Sequence, residues 1–510
     1  MKGIKMRGNK NIVYNLMVSL ITFALSILIS LWMTPYIISN VGTEAYGFIP
    51  LTQNFISILS VLTVALSSVI ARFFTIAIQQ KDFSNAQRYF NTYLFSSLIF
   101  SGVLFLVFII LSISIDSLFN IPMSLISDVR ISILISGFLL IMTYIGAVFD
   151  AAPFSVNKLY VTKGIQAINA IVKAIVIFTL LTMLTPRIWY VNLGTFIAGV
   201  LSFILGIVFF RKLMPDIKIN FKDFQLNKLK ELLSAGVWNS IGQIGVLLFL
   251  AIDILVANIT LGAEKAGVYA AILQFPLLLR TLAGITAGVF APIIVTHYAK
   301  ENINALIQYS NRAVKLNGLL LALPAALMCG LGGALLRVWL GEEFEMYEWL
   351  LILNAFYLVF TLSVMPLNHI FTAVNRLKLP ALTTIFLGII NLLLAIFLSG
   401  PVGLGLYGIV ISSASVLILK NLIFTPLYSS YVTGQVYRVY YKGIFQPLIG
   451  AFIVIIFSMS IQYFYIIENW LDLIAVGIIV SICYILFSYI LLLTKEERNI
   501  IQNLFKKFHL

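Results

Sequence analysis

Five ionisable side chains stand deep inside long apolar runs: Arg72, Lys173, Asp253, Arg280 and Lys420. A charge at the centre of a bilayer costs about 2.5 to 3.5 kcal/mol on insertion scales, so such a residue faces a cavity or a partner. Four of the five are cations. A cleft lined by them suits an anionic headgroup, because a guanidinium grips phosphate oxygens two at a time. Arg280 is the strongest candidate. It lies mid-helix in "QFPLLLRTLAGITAGVFAP", too deep to reach either surface with ease. Pro276 and Gly284 flank it, which predicts a bend, and Gly284 with Gly288 makes a small-xxx-small face. Arg72 stands towards one end of its run, where phosphate contact and snorkelling compete evenly. Lys173 sits mid-span in "NAIVKAIVIF", and Lys420 in "SVLILKNLIFTP" reads first as a lysine that snorkels. Asp253 is the lone acid at depth; an ion pair with Arg280 is favoured over Na+ or proton coupling. His297 and His369 fall near helix ends and read as interfacial.

The elements that hold these residues follow from composition. The chain of 510 residues is 61% hydrophobic and only 10% charged, against about 25% charged in a soluble domain. The expected fold is an all-α polytopic membrane protein. Fourteen apolar runs of spanning length are centred near residues 26, 60, 104, 140, 174, 199, 247, 281, 325, 360, 390, 416, 455 and 482. The net charge of +14 invites a nucleic-acid partner, but its distribution is that of an oriented membrane protein. Of 33 Lys and Arg residues, 25 fall on one side, including Lys2, Lys5, Arg7, Lys315, Lys506 and Lys507. Only Arg130, Arg187, Lys265 and Arg337 fall on the other. The positive-inside rule then places both termini in the cytoplasm and the protein in the cytoplasmic membrane. Residues 211–230 read as a cytoplasmic linker with a short amphipathic helix over "FQLNKLKELL", resting on lipid headgroups.

A repeat organises the spans. "VGTEAYGFIP" at 41–50 returns as "LGAEKAGVYA" at 261–270, aligning Gly42 with Gly262, Glu44 with Glu264 and Gly47 with Gly267. Phe55, Leu59, Leu62, Val69 and Ala71 also match the residues 220 positions on. An offset of six helices makes the repeat parallel. The expected organisation is a six-helix bundle over 1–210, the linker 211–230, a second bundle over 231–428, and two further helices with a cytoplasmic tail over 429–510. Gly42 and Gly262 suit left-handed turns that stop a helix. Glu44 and Glu264 then open the next helix, where an anion favours the macrodipole. Gly47 and Gly267 permit close helix approach.

With these features the chain resembles the polysaccharide-transporter branch of the multidrug/oligosaccharidyl-lipid/polysaccharide (MOP) flippase superfamily. The residues that carry the resemblance are "LGAEKAGVY" behind "AIDILVANIT" and the start "GNKNIVYNLMVSLITFALSILISLWMTPYIISNVGTEAYG", similar to O-antigen, capsule and teichoic-acid exporters. It implies a flippase that moves a polyprenyl-pyrophosphate-linked saccharide to the outer leaflet by alternating access. Its partners would be that lipid-linked substrate, membrane lipids and the enzymes of polymer biosynthesis, with Na+ or H+ coupling left open.

Rival readings differ in their charges. A cation-coupled multidrug exporter of the same fold favours acidic cleft residues. Peptidoglycan-precursor flippases carry an arginine in the first helix, whereas residues 13–39 have no charge. A membrane-embedded polymerase or glycosyltransferase presents its catalytic groups on a sizeable outer loop, and "RVWLGEEFEMYEW" is the sole candidate. No P-loop is present, and Cys329 and Cys483 lie inside apolar runs. No catalytic residue, cofactor or metal is expected.

Overall fold

The computed structural model describes residues 8–498, apart from 157 and 375, and they contain no strand. Apolar runs of spanning length dictate this, because in hydrocarbon each backbone N–H and C=O must find its partner within the segment. Among the described residues thirteen helices are long and apolar enough to cross a membrane. There are fourteen if the bent pair Glu342–Thr361 and Met365–Ala373 is one span, and all fourteen expected centres fall inside these segments. The protein is an all-α polytopic membrane protein. Lys2, Lys5, Arg7, Lys506 and Lys507, which support the orientation reading, lie outside the described residues.

Backbone contacts divide the chain into two compact units, Met1–Ala271 and Ile272–Leu510. The first holds α1 (Gly8–Val41), α2 (Thr43–Gln79), α3 (Phe83–Leu118), α4 (Ile126–Gly146) and the short α5 (Ala151–Ser155). It continues with α6 (Leu159–Met183), α7 (Trp189–Leu213), α8 (Leu226–Leu250), α9 (Ile252–Leu261) and nearly all of α10 (Ala263–Ile272). α2 is central and packs on α3, α4, α5 and α8, while α6 packs on α1 and α7. Where α2 crosses α8, the Cα of Gly236 lies against the Ala65 carbonyl. One turn on, the Ser240 hydroxyl donates to the Val61 carbonyl (3.3 Å). Small residues four apart let the backbones approach this closely.

Residues 214–225 are bound to α3. Asn91 donates to the Lys218 carbonyl (2.9 Å) and accepts from the Asn220 amide (2.9 Å). Gln87 Nε2 donates to Asp223 Oδ2 (2.7 Å), and the Thr92 hydroxyl accepts from the Gln225 amide (3.1 Å). The expected short helix over "FQLNKLKELL" is not a separate element. It forms the first turns of α8, because no Gly or Pro interrupts the chain between Leu226 and Gly236.

The second unit holds α11 (Gln274–Ala299), α12 (Ile303–Gly330), α13 (Gly332–Leu340), α14 (Glu348–Phe356), α15 (Leu358–Thr361) and α16 (Asn368–Ala373). It ends with α17 (Lys378–Ser399), α18 (Gly405–Ile418), α19 (Thr425–Val432), α20 (Tyr441–Phe464) and α21 (Trp470–Phe487). α12 is central, packed on α11, α14 and α20. Its Lys315, read from sequence as a loop cation, is buried and donates to Glu497 Oε2 (2.7 Å), itself buried. Arg312, one turn earlier, pairs with Glu496 (2.6 Å). Burial raises the Glu497 carboxyl, but the Lys315 ammonium and the Thr494 amide outweigh it and hold that carboxyl below its ordinary value.

Candidate functional site

The repeated turn comes first, because it sets the register of the charged residues. Gly42 has φ 84° and ψ 159°, and Gly262 has φ 88° and ψ 175°. Positive φ was expected, but ψ is extended, a combination more exclusive to glycine than the left-handed helical turn. Each glycine amide donates four residues back, to Ile38 and Asn258 (2.8 and 3.0 Å). Glu44 and Glu264 fall in the first turns of α2 and α10. Gly341, with φ 115° and ψ 165°, adds a third such turn, followed by Glu343 in the same "LGxE" spacing.

Gly47 and Gly267 bring the two motif copies into contact. A Cβ on Gly47 would stand 2.7 Å from the Cα and N of Gly267 and 3.0 Å from the Ala263 carbonyl. One on Gly267 would stand 2.1 Å from the Thr43 carbonyl. The close approach is therefore between the two copies, α2 against α10.

Of the five deep ionisable residues, Arg280 and Lys420 lie in the second unit. Pro276 has no amide for the Ile272 carbonyl, and the helix breaks at Leu273, between α10 and α11. One turn beyond Pro276, Arg280 donates from Nη2 to the Tyr357 hydroxyl (2.6 Å), with its guanidinium carbon 5.8 Å from that ring's centre. Tyr357 stands between α14 and α15, in the first half of the pair Glu342–Thr361 and Met365–Ala373, which bends by 44° at the break between them. Lys420 lies within electrostatic range of Arg280. It belongs to Leu419–Phe424, a stretch of wider π-type turns between α18 and α19 that packs on α15. A Cβ at Gly284 or Gly288 would meet nothing within 4 Å. That pair is not a helix-packing seam; it leaves open the face of α11 that continues from Arg280 at intervals of four residues. Beside it, the Thr286 hydroxyl donates to Asn317 Oδ1 (2.6 Å), and Asn317 Nδ2 donates to the Leu362 carbonyl (3.0 Å). These bonds tie α11 and α12 to the bent span.

The other three lie in the first unit. Arg72 is exposed on α2, and Lys173 is half-buried on α6. Asp253 is buried and accepts a bond from the Tyr269 hydroxyl (3.4 Å). It occupies the first turn of α9, just after the break at Ala251. The positive end of a helix favours an anion there. Sequence reasoning missed Tyr357, whose only signal was an aromatic residue with a hydroxyl amid apolar neighbours. His297 packs against Tyr309, and His369 bonds to the backbone at Ala287. Among the described residues no group of His, Cys, Asp and Glu could hold a metal ion.

No family model matches the chain. It is 47% identical over 493 residues to the uncharacterized membrane protein EpsK of Bacillus subtilis (strain 168), covering 97% of this chain and 98% of that one. Solved structures that share its fold include two transporters. The lipid II flippase MurJ, in an inward closed conformation, superposes with a TM-score of 0.70 at 16% identity, over 93% of this chain and 99% of that one. A multidrug resistance MATE family transporter of the MOP superfamily, in an inward-facing conformation, gives 0.67 at 15%, over 83% and 99%. At 47% identity along nearly the whole of both proteins, the chain belongs to the family of the membrane protein EpsK, on the fold of the MOP-superfamily transporters.

Proposed function

We propose that the protein is a flippase or exporter that carries a polyprenyl-pyrophosphate-linked oligosaccharide or teichoic-acid precursor across the bacterial cytoplasmic membrane by alternating access. The observation that carries this reading is Arg280, held by the Tyr357 hydroxyl (2.6 Å) inside a spanning helix beside an open helix face, with Lys420 in electrostatic range. Cationic side chains at membrane depth attract an anion more strongly than they would in water. A pyrophosphate fits: the guanidinium offers a planar fork and the ammonium a point charge. Tyr357 holds the guanidinium in place, which reduces the ordering cost on binding.

The rocking bodies in this proposal are the bundles 1–210 and 231–428, with both termini in the cytoplasm. Arg72, Lys173 and Asp253 serve as secondary contacts for the headgroup or the coupling ion. A headgroup with about two negative charges leaving a negative-inside cell gains roughly 4 to 5 kcal/mol per 100 mV, so voltage alone is a sufficient drive. The MATE neighbour is a multidrug resistance transporter and MurJ a lipid II flippase. The cationic set here favours an anionic lipid over a cationic drug. The test is a proteoliposome assay with a fluorescent short-chain prenyl-pyrophosphoryl disaccharide, read by quencher accessibility. Arg280→Ala and Lys420→Ala should each slow translocation by about tenfold or more, the loss of one charge-assisted bond. Unchanged rates in both well-folded variants would remove the phosphate role.

A further inference from the structure

Lys420 begins a row of side chains that the phosphate site does not use. Phe424, Tyr428 and Tyr431 follow it at helical intervals of four and three residues, all on one face. Their rings run nearly parallel. Phe424 and Tyr428 are 5.3 Å apart at 14°, and Tyr428 and Tyr431 are 6.1 Å apart at 21°. Phe371 of α16, only 2% exposed, backs the row from behind at 5.2 Å from Tyr428. Tyr431 at the far end is 79% exposed. The opposite face of α19 is occupied: the hydroxyls of Ser429, Ser430 and Thr433 are buried and donate to carbonyls of their own helix.

The wider turns of Leu419–Phe424 are supported from two sides. The Thr425 hydroxyl donates to the Lys420 carbonyl (3.0 Å), and the Tyr441 hydroxyl of α20 donates to the Leu422 carbonyl (3.0 Å). Such segments loosen the backbone ladder and recur at functional sites. This one carries Lys420 at its start and Phe424 at its end. From Lys420 to Tyr431 the row extends about 16 Å along the helix. An aromatic belt facing lipid headgroups needs only depth. It does not need near-parallel rings in single file, backed by a buried phenylalanine and ending at a lysine.

We propose that Phe424, Tyr428 and Tyr431 form a stacking track for pyranose rings, with the pyrophosphate at Lys420 and Arg280 and successive sugars laid towards Tyr431. The apolar C–H face of a pyranose carries slight positive charge and matches the negative face of an aromatic ring. Each pyranose has such a face, so the track reads the presence of a sugar and tolerates changes in its hydroxyl pattern. The headgroup thereby has a direction in the site: its reducing end lies deep, and its far sugar lies at the exposed end of α19.

This inference rests on the lipid-linked saccharide reading above, and two probes separate the two. Equilibrium binding to the full-length protein in nanodiscs is measured for farnesyl pyrophosphate and for a farnesyl-pyrophosphoryl hexose disaccharide. The native protein should bind the glycosylated probe about tenfold more tightly, the worth of one to two stacked rings. The double variant Tyr428→Ala, Tyr431→Ala should lose that preference while binding the bare pyrophosphate within about twofold of the native protein. Tyr428→Phe and Tyr431→Phe should keep the preference, because stacking needs the ring and not the hydroxyl. A preference that survives in the double Ala variant, or a native protein without one, overturns the track and leaves the phosphate site standing. Bare pyrophosphate that binds the native protein no better than Arg280→Ala overturns the underlying reading, and the track with it.

Discussion

Substituting Gly267 by Ala tests the contact between the two motif copies, and the structure sets its size. The new Cβ would stand 2.1 Å from the Thr43 carbonyl oxygen, and an ordinary contact begins at 3.4 Å. Backbone must therefore yield by about 1.3 Å, which is not a motion that a side chain can absorb. Overpacking of this kind costs about 1 to 3 kcal/mol. Alanine's better helix propensity returns roughly 0.5 to 1 kcal/mol, so a net loss of about 1 to 2 kcal/mol is expected. Gly284→Ala and Gly288→Ala receive the same propensity gain with nothing within 4 Å to meet, and should be neutral or slightly stabilising. The assay is thermal unfolding of the detergent-solubilised protein, followed by intrinsic fluorescence and by size-exclusion recovery after heating. The expected order is Gly284→Ala at or above the native protein, then Gly47→Ala, then Gly267→Ala lowest. A Gly267→Ala protein as stable as Gly284→Ala would refute the close crossing.

Three further outcomes are expected. Glu497 is held below its ordinary value in the folded protein, so its contribution to stability is present above the unfolded carboxylate value and lost as pH falls through the folded one. Glu497→Gln should remove that part of the acid dependence of unfolding and destabilise by about 3 kcal/mol, whereas replacing Lys315 and Glu497 together by apolar residues should restore most of the loss. Tyr357→Phe deletes the acceptor of Arg280 and should lower translocation several-fold with little change in unfolding temperature, which the proteoliposome assay reads directly. Asn91→Ala frees the backbone at Lys218 and Asn220 and should expose residues 214–225 to limited proteolysis while the spans remain intact.

The legible part of the fold is what depends on short stretches of chain. The fourteen spans follow from apolar length alone, and the positive φ at Gly42 and Gly262 from a glycine before a glutamate between two apolar runs. The helix break at Leu273 is readable from Pro276. What escaped depends on residues far apart. Tyr357 meets Arg280 across 77 positions, and Glu497 meets Lys315 across 182. Without its acid in view, Lys315 looked like one more loop cation. Nothing in "SVLILKNLIFTP" marks the wider turns around Lys420. Gly284 and Gly288 have the spacing of a packing seam, yet spacing alone does not say whether a second helix is there.

The meeting of Gly47 with Gly267 is reciprocal. Gly47 touches Ala263 and Gly267, while Gly267 touches Thr43 and Gly47. Thr43 and Ala263 are themselves counterparts at the offset of 220, so each copy does to the other what the other does to it. This is the isologous pattern of a symmetric dimer, written within one chain. A residue beside such an axis faces its own image, and a side chain too large there is too large twice. Once two images occupy separate codons, that constraint divides: one position can accept a small addition if the other gives way. The two glycines are thus a single requirement stated in two places.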